Sequence, residues 1–436
     1  MSDQTYCAAL EETFFTHLTA LNAPQRLALA VSGGRDSMAL LRLCARYARR
    51  QPVSLFAFTV DHGLRAESSK EAAQVRDWCN RLGVAHTTLH WEGRKPATGV
   101  QAAARSARYR LLVDAANAHD CGALLTAHTQ DDQAETLFMR LARGAGVDGL
   151  SAMKREMMVA AGPGAPLRLL RPLLDVSRSS LTDYLGGRDQ DFIDDPSNDD
   201  PAFERIRIRA LLAALGEQDI VTAPKLSETA RKMQAAQTAL RRNEDALLQD
   251  AGGLFYSWGG VSLTRWPQEA PGAGGLARRL IHAVSGAEYP PGEDDAAEAV
   301  ANARLSGAAT LSGAMVKQWK NRLWFLREPA ALLGRAGVAA DRPASLAAPR
   351  VWDRRFIVTP NQPGLAAGPC GEAVHDVLGS RARLFRGPPE ALAALPGLFV
   401  DDALTGVLSI PILAEWRAGA RSLVEERYRG GIVRFL

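Results

Sequence analysis

Two kinds of feature are missing from this sequence: closely spaced cysteines and long apolar runs. No two cysteines are separated by just two residues, which excludes the C-x-x-C pairs of zinc and redox sites. An odd number of cysteines without a framework is typical of a reducing compartment. No apolar stretch approaches the ~20 residues of a membrane-spanning helix, and the start lacks the pattern of a signal peptide. These absences predict a cytoplasmic protein without a membrane partner. The cysteines are Cys7, Cys44, Cys79, Cys121 and Cys370.

Composition sets only loose limits on the class of protein. With 436 residues the chain is too long for one ordinary core, so two or three domains are expected. Hydrophobic residues make up 47% of it and charged residues 23%, which is ordinary for a globular protein. The formal net charge of +4 tolerates a polyanionic partner without requiring one. Oligomeric state does not follow from these values.

The first 215 residues alternate between apolar runs and helical periodicity, which is typical of parallel βα units. Because the apolar runs lack polar alternation, we expect helices on both faces of the sheet. The prediction is an α/β fold with a doubly wound, mostly parallel, Rossmann-like sheet that binds ligands at the carboxyl ends of its strands. The predicted strands are 26–31, 53–60, 85–90 and 121–126, and the predicted helices are 38–49, 69–82, 100–118 and 131–143.

Beyond the α/β domain predicted at 1–215, the composition of the sequence changes. A mainly helical domain is predicted at 216–328, an Ala/Pro-rich linker at 329–350 and a small α+β domain at 351–436. Within the second domain, 311–327 favours strands with a turn at Lys320-Asn321. The helical stretch 225–248 carries basic residues that either face a polyanion or form an ordinary solvated surface among acidic ones. These residues are Lys225, Arg231, Lys232, Arg241 and Arg242.

The stretch S-G-G-R-D-S at 32–37 lies between a predicted strand and a predicted helix. Its glycines allow a tight turn that brings backbone amides close to a phosphate, and the helix start favours an anion. A carboxylate would repel phosphate by itself, so Asp36 indicates a Mg²⁺ ion between them. The spacing and the missing lysine exclude a Walker A loop. The alternative is a glycine turn before a capped helix. The residues are Ser32, Gly33, Gly34, Arg35, Asp36 and Ser37.

Carboxylates also follow the strands at 53–60 and 121–126. Asp61, His62 and Gly63 end the first of these, at the edge where a nucleotide would lie, although a polar turn explains them equally well. After the strand at 121–126, Asp131 and Glu135 are four residues apart, so they share a helix face, and Asp132 lies beside Asp131. Such a cluster either caps the helix or holds Mg²⁺ or an incoming amine.

Two further groups of basic residues are candidates for phosphate or nucleic-acid contact. Arg105 and Arg108 lie one helical turn apart, either facing phosphates or forming a solvated face. An alternating series further on either pairs with the neighbouring acids Asp194, Asp195 and Asp199 or contacts phosphate or a nucleic acid. This series is Arg205, Arg207 and Arg209.

Several of these motifs resemble those of known enzymes. The loop at 32–37 resembles the S-G-G-x-D-S signature of PP-loop ATP pyrophosphatases. H-T-Q-D-D-Q-A-E-T at 128–136 resembles the H-T-x-D-D-Q-A-E-T motif of the tRNA(Ile)-lysidine synthetase family. A-R-S-A-R-Y at 104–109, R-P-L-L at 171–174, D-P-S-N at 195–198 and T-L-S-G at 310–313 agree with it. R-I-R-I-R at 205–209 resembles the family's R-N-R-I-R. Ile206 stands where the family has Asn, which puts any role of that amide in doubt.

The resemblance implies a carbon–nitrogen ligase that uses ATP and Mg²⁺ to modify a tRNA, with an ATP-binding catalytic domain at 1–215 and a tRNA- or substrate-binding domain at 216–328. The wobble cytidine of tRNA(Ile) with anticodon CAU would be adenylated at its 2-carbonyl oxygen, and free L-lysine would then displace AMP. Asp36 and Asp132 would hold Mg²⁺, Asp131 and Glu135 would orient or deprotonate the lysine, and Arg105 and Arg108 would complete the catalytic set. The residues expected to bind ATP are 32–37 together with Asp61, His62, Gly63 and His128.

Two rival functions remain at this point. Another PP-loop enzyme, such as a tRNA thiolase, would commonly need paired or catalytic cysteines, which the spacing does not offer. A non-catalytic nucleotide- or RNA-binding module would not need Asp36 together with Asp131 and Asp132.

Overall fold

The computed structural model describes residues 3–63, 67–93, 96, 98–160, 166–194, 204–334, 343–347, 349–410, 418–429 and 432–434. These residues fall into two compact units, and the division lies at Ala239–Leu240. No helix in the described part of the chain is long and apolar enough to cross a membrane.

The first unit is built on a sheet with helices on either side. Its strands are β1 (Arg26–Ala30), β2 (Ser54–Asp61), β3 (Ala85–His90), β4 (Ala123–Leu125), β5 (Glu156–Ala160) and β6 (Leu167–Leu170). Its helices are α1 (Asp3–Ala20), α2 (Arg35–Ala48), α3 (Ser68–Leu82), α4 (Val100–Ala118), α5 (Gln130–Ala142), α6 (Val147–Leu150), α7 (Arg178–Gly186) and α8 (Glu204–Glu217), and α9 (Ala223–Asp250) starts in this unit.

The strand order within the first unit is β5-β6-β4-β1-β2-β3. Every neighbouring pair is parallel except β5 and β6, which are antiparallel. Since β1 is flanked by β2 on one side and β4 on the other, the chain reverses direction across the sheet at β1. Loops at the carboxyl ends of β1 and β4 therefore lie side by side, which brings residues 32–37 and 128–136 together.

Alternate residues of β1 pack into different cores. Leu27 and Leu29 belong to a cluster with residues of α1 and α2, whereas Ala28 packs with Tyr109 and Leu112 of α4. Helices therefore cover both faces of the sheet, which confirms the predicted doubly wound fold. All eight predicted strands and helices are present. Sequence reading missed α1, β5, α6, β6, α7 and α8.

The second unit contains three antiparallel sheets. Its helices are α10 (Ala273–Ser285), α11 (Glu293–Ser306), α12 (Ala330–Leu333), α13 (Val374–Leu378) and α14 (Val424–Tyr428), with 3-10 helices at Gly379–Leu384 and Pro389–Ala394. Its strands are β7 (Leu254–Phe255), β8 (Val261–Leu263), β9 (Ala308–Leu311), β10 (Ala314–Trp319), β11 (Arg322–Arg327), β12 (Ala344–Ser345), β13 (Arg350–Trp352), β14 (Phe356–Pro360), β15 (Ala366–Pro369), β16 (Pro396–Val400), β17 (Ala403–Val407), β18 (Ala418–Ser422) and β19 (Ile432–Arg434).

The turn predicted at Lys320-Asn321 joins β10 to β11, with φ values of 46° and 57° at its two residues. Two consecutive left-handed residues are typical of a two-residue hairpin turn. The segment 216–328 contains five strands in the order β7-β8-β11-β10-β9 besides its helices. The strands predicted at 311–327 correspond to β10 and β11, whereas β7 and β8 were not predicted. The domain boundaries at 215, 328 and 350 stay predictions.

Candidate active site

The loop at 32–37 is closed by its own hydroxyl groups. Ser37 Oγ accepts a hydrogen bond from the Ser32 backbone N–H at 3.1 Å and donates one to the Gly34 carbonyl at 2.8 Å. Gly34 is the N-cap residue of α2 and offers no side-chain cap, so the first N–H groups of that helix face the loop. This geometry suits an anion at the helix start.

Position 33 requires glycine for two reasons, its backbone conformation and the lack of room for a side chain. Its φ is +88°, and a Cβ atom there would lie 2.7 Å from Ile193 Cδ1 and 2.9 Å from Val75 Cγ2. The Ile193 backbone N–H also donates a 2.9 Å hydrogen bond to the Gly33 carbonyl. Contacts from two other segments therefore hold the loop open in this shape.

Asp36, in the first turn of α2, lies among charged groups. Its Oδ2 accepts a hydrogen bond from Arg178 Nε at 3.2 Å, and Arg35 Nε lies 3.4 Å from its Oδ1. Burial raises the pKa of Asp36; Arg178 lowers it, and the nearby Asp132 raises it further. The side chain is 22% exposed, so the carboxylate remains open to a ligand.

Asp132 has a more crowded environment on α5. Its Oδ2 accepts hydrogen bonds from the Thr129 backbone at 2.8 Å and from Thr129 Oγ1 at 3.0 Å, completing a capping box. Its Oδ1 accepts one from an Arg178 terminal nitrogen at 3.0 Å and one from Arg205 at 2.8 Å. These four donors match the number of lone pairs that a carboxylate offers.

Asp131 and Glu135 are both engaged by the chain itself. Asp131 Oδ2 accepts a 2.7 Å hydrogen bond from the Arg178 backbone N–H, at the start of α7. Glu135 is 2% exposed and accepts hydrogen bonds from Arg205 Nε at 2.5 Å and Arg209 Nε at 2.8 Å. The two carboxylates thus anchor α7 and α8 to α5.

The arginine series of α8 divides between the site and the surface. Arg205 and Arg209 are four residues apart and reach the same carboxylate, whereas Arg207 is exposed. The described partners of Arg205 and Arg209 are carboxylates of α5, and the predicted pairing of this series with Asp194, Asp195 and Asp199 stays a prediction. Residues 195–199, including the D-P-S-N stretch, lie outside the described residues.

Arg105, Arg108 and His128 form a second positively charged region. The guanidinium carbons of the two arginines lie 5.3 and 5.8 Å from the centre of the Tyr109 ring. His128 Nδ1 is 2.9 Å from Thr126 Oγ1. Burial, together with Arg171 and other nearby arginines, lowers the pKa of His128 well below 6.5. The imidazole is therefore neutral near pH 7.

Asp61 is turned towards its own loop. It is 6% exposed and accepts hydrogen bonds from Gly63 N at 2.9 Å, Ser68 Oγ at 2.6 Å and Ser69 Oγ at 2.9 Å. Gly63 has a φ of 58°. Of the two interpretations of Asp61–Gly63, these contacts favour the polar turn for the Asp61 side chain.

Similarity to known proteins agrees with this geometry. Residues 8–215 match the PP-loop domain family. The tRNA(Ile)-lysidine synthase of Ruegeria pomeroyi is 37% identical over 392 residues, covering 79% of this chain and 90% of that protein. The same enzyme of Rhodopseudomonas palustris is 39% identical over 329 residues, covering 70% and 92%. That of Bradyrhizobium diazoefficiens is 51% identical over 201 residues, covering 45% and 54%.

The chain belongs to the tRNA(Ile)-lysidine synthase family. Membership confirms the predicted family and ATP use. The candidate residues of 32–37 and 128–136 lie at the ends of adjacent strands, and their roles stay predictions. Arg178 was missed, because it lies four residues beyond R-P-L-L in no recognised motif. Ser177, whose Oγ accepts the Ser180 N–H, marked the helix start that places it.

Proposed function

We propose that this lysidine synthase family member ligates lysine to the 2-position of the wobble cytidine of tRNA(Ile) with anticodon CAU. The cytosine 2-carbonyl oxygen attacks the α-phosphate of ATP, and pyrophosphate leaves into the loop at 32–37. The ε-amine of free lysine then displaces AMP. The observation that supports this best is the meeting of the phosphate loop with the carboxylates of α5 at adjacent strand ends.

Within this proposal the loop grips the leaving group. The N–H groups at the start of α2 and the hydroxyls of Ser32 and Ser37 stabilise the charge that develops on pyrophosphate. Arg105 and Arg108 address the α-phosphate or the adenylated base from the region beside neutral His128. His62 and Gly63 lie at the end of β2, on the nucleotide side of the sheet.

The residues present fit a Mg²⁺ ion at Asp36. Its carboxylate is partly exposed beside the loop, and oxygen donors are the ligands that Mg²⁺ prefers. The ion, when bound with ATP, would neutralise phosphate charge. Four hydrogen-bond donors occupy the two carboxylate oxygens of Asp132. Asp132 therefore fits as a second ligand only when Arg178 or Arg205 releases one of these oxygens.

The lysine amine needs carboxylates and also a proton acceptor. An ammonium has a pKa near 10.4 and cannot attack. Asp131 and Glu135 are the proposed partners, and their contacts with Arg178, Arg205 and Arg209 must loosen for either to bind the amine.

Basic residues of α9 are the proposed tRNA contacts. Arg231 and Lys232 are 73% and 70% exposed, and Glu228 pairs with both. Replacing Arg231 and Lys232 together by alanine should weaken tRNA binding and reduce its dependence on salt, because fewer counterions are released. An unchanged salt dependence would contradict this assignment.

The rival PP-loop thiolase is disfavoured by the cysteines. All five are buried and free. Burial raises the pKa of Cys79 to about 12 and that of Cys121, beside Arg26 and Asp120, to about 11. Thiols with such raised pKa values stay protonated near neutral pH, so they do not supply the thiolate that sulfur transfer needs.

Pyrophosphate release tests the proposal directly. Full-length protein incubated with ATP, Mg²⁺ and tRNA(Ile) should release pyrophosphate, and adding lysine should sustain turnover by removing the adenylate. Release that is independent of tRNA, or turnover unaffected by lysine, would contradict it.

A further inference from the structure

One side chain, Arg178, joins the phosphate loop to the carboxylates of α5. Its Nε donates to Asp36 at 3.2 Å, and one terminal nitrogen donates to Asp132 at 3.0 Å. The other terminal nitrogen lies 3.5 Å from Glu135 Oε1. The side chain is 14% exposed. Burial alone would lower the pKa of Arg178, but Asp132, Asp36 and Glu135 outweigh it, and the pKa is raised.

The two carboxylates that Arg178 bridges are the two proposed magnesium ligands, and they come from different elements. Asp36 is on α2 and Asp132 is on α5. Each repels the other, so a cation is needed to keep both ionised and close together. A guanidinium and a divalent cation use the same carboxylate lone pairs.

We propose that Arg178 is a positioning residue that takes the lone pairs of Asp36 and Asp132 in the nucleotide-free protein and thereby competes with a divalent cation for them. The inference rests on the proposed Mg²⁺ site. Its consequence is that the protein alone binds the cation weakly, and that the metal is admitted together with the phosphates of ATP. Through these two contacts Arg178 also fixes the position of the loop relative to α5.

Two neighbouring arginines, Arg205 and Arg209, contact fewer of the proposed metal ligands than Arg178 does and serve as comparisons. Arg205 contacts Asp132 at 2.8 Å and Glu135, whereas its described contacts do not include Asp36. Arg209 donates to Glu135 only, among the hydrogen bonds described. Removing Arg209 therefore deletes one positive charge near the site without freeing either proposed metal ligand.

The test measures binding of Mn²⁺ alone to the full chain without ATP or tRNA, from the electron paramagnetic resonance signal of free Mn²⁺. Arg178→Gln should bind Mn²⁺ about tenfold more tightly than wild type, a change of about 1.4 kcal/mol. Arg209→Gln should change the affinity by less than about threefold, which measures the effect of lost charge alone. Equal gains in the two variants, or no gain in Arg178→Gln, would overturn the proposal.

A second pair of variants covers the risk that Arg178→Gln unfolds. Arg178→Lys retains the charge, but one ammonium cannot span both carboxylates, so Mn²⁺ affinity should rise by a smaller factor of about three. Adding Asp36→Asn to either variant should remove the gain. A gain that survives Asp36→Asn would place the metal elsewhere and overturn the proposal. Lysidine formation by the wild type, measured on the same preparation, tests the proposed function separately.

Discussion

Replacing Glu135 by glutamine tests whether this carboxylate anchors α8. Glu135 is 2% exposed and receives hydrogen bonds from Arg205 and Arg209, whose side chains are each 39% exposed. Glutamine keeps the size of the side chain and removes its charge. Arg209 would then lose its described carboxylate partner and Arg205 would keep only its contact with Asp132, while both remain partly out of water.

The expected cost follows from the burial of the pair. Removing one partner of a fully buried ion pair costs about 3–5 kcal/mol. Because Arg205 and Arg209 are more than a third exposed, water compensates part of this, and about 2–3 kcal/mol is expected. For a unit of this size that corresponds to a fall in Tm of roughly 4–12 °C.

Calorimetry of the variant beside wild type measures this directly. Glu217→Gln is the matched control, because Glu217 is an exposed residue near the end of α8, and its Tm should stay within about 1 °C of wild type. In Glu135→Gln lysidine formation should be lost while pyrophosphate release persists, because Glu135 is a proposed partner of the lysine amine. A Tm equal to that of the control would refute the anchoring role. Equal loss of both activities would contradict the assignment of Glu135 to the amine.

Three further changes have defined outcomes. Asp36→Asn should leave Tm within about 2 °C of wild type but lower the rate of pyrophosphate release at least about a hundredfold, because charge opposite the phosphates is lost; near-normal release would exclude Asp36 as a metal ligand. Gly33→Ala should weaken ATP binding, measured calorimetrically, since φ +88° and the approach to Ile193 leave no place for a Cβ; unchanged affinity would contradict this. Burial beside Arg427 lowers the pKa of His282 to about 4 from 6.5, so the unfolded chain binds a proton that the folded one does not. Stability should therefore fall by about 3 kcal/mol as pH drops from 6.5 to 4, and His282→Gln should flatten that dependence in urea titrations.

The sheet and its motifs were predictable because their signals are local. A buried strand, a glycine turn and a helix start follow one another within residues 26–49, and a buried strand followed by a helix start that Thr129 caps recurs at 121–143. The carboxyl ends of neighbouring parallel strands must meet at one edge, so the meeting of Asp36 with Asp132 followed from topology.

The partners of the carboxylates were not predictable, because they come from distant segments. Arg178 is separated from Asp36 by 142 positions and Arg205 from Glu135 by 70. The family resemblance assigned Glu135 to the lysine amine, which stays a prediction, and the two arginines on this carboxylate were not foreseen. Nor did local charge favour α5 over the nearby acids as the partner of Arg205.

Nucleoside analysis of tRNA tests the central claim most directly. Full-length protein would be incubated with tRNA(Ile) of anticodon CAU, ATP and isotopically labelled lysine, and the digested tRNA separated and weighed by mass spectrometry. The account predicts one labelled nucleoside, heavier than cytidine by lysine minus water, that disappears when ATP is omitted or the anticodon cytidine is replaced. Consumption of ATP with only unmodified cytidine in the digest would contradict it.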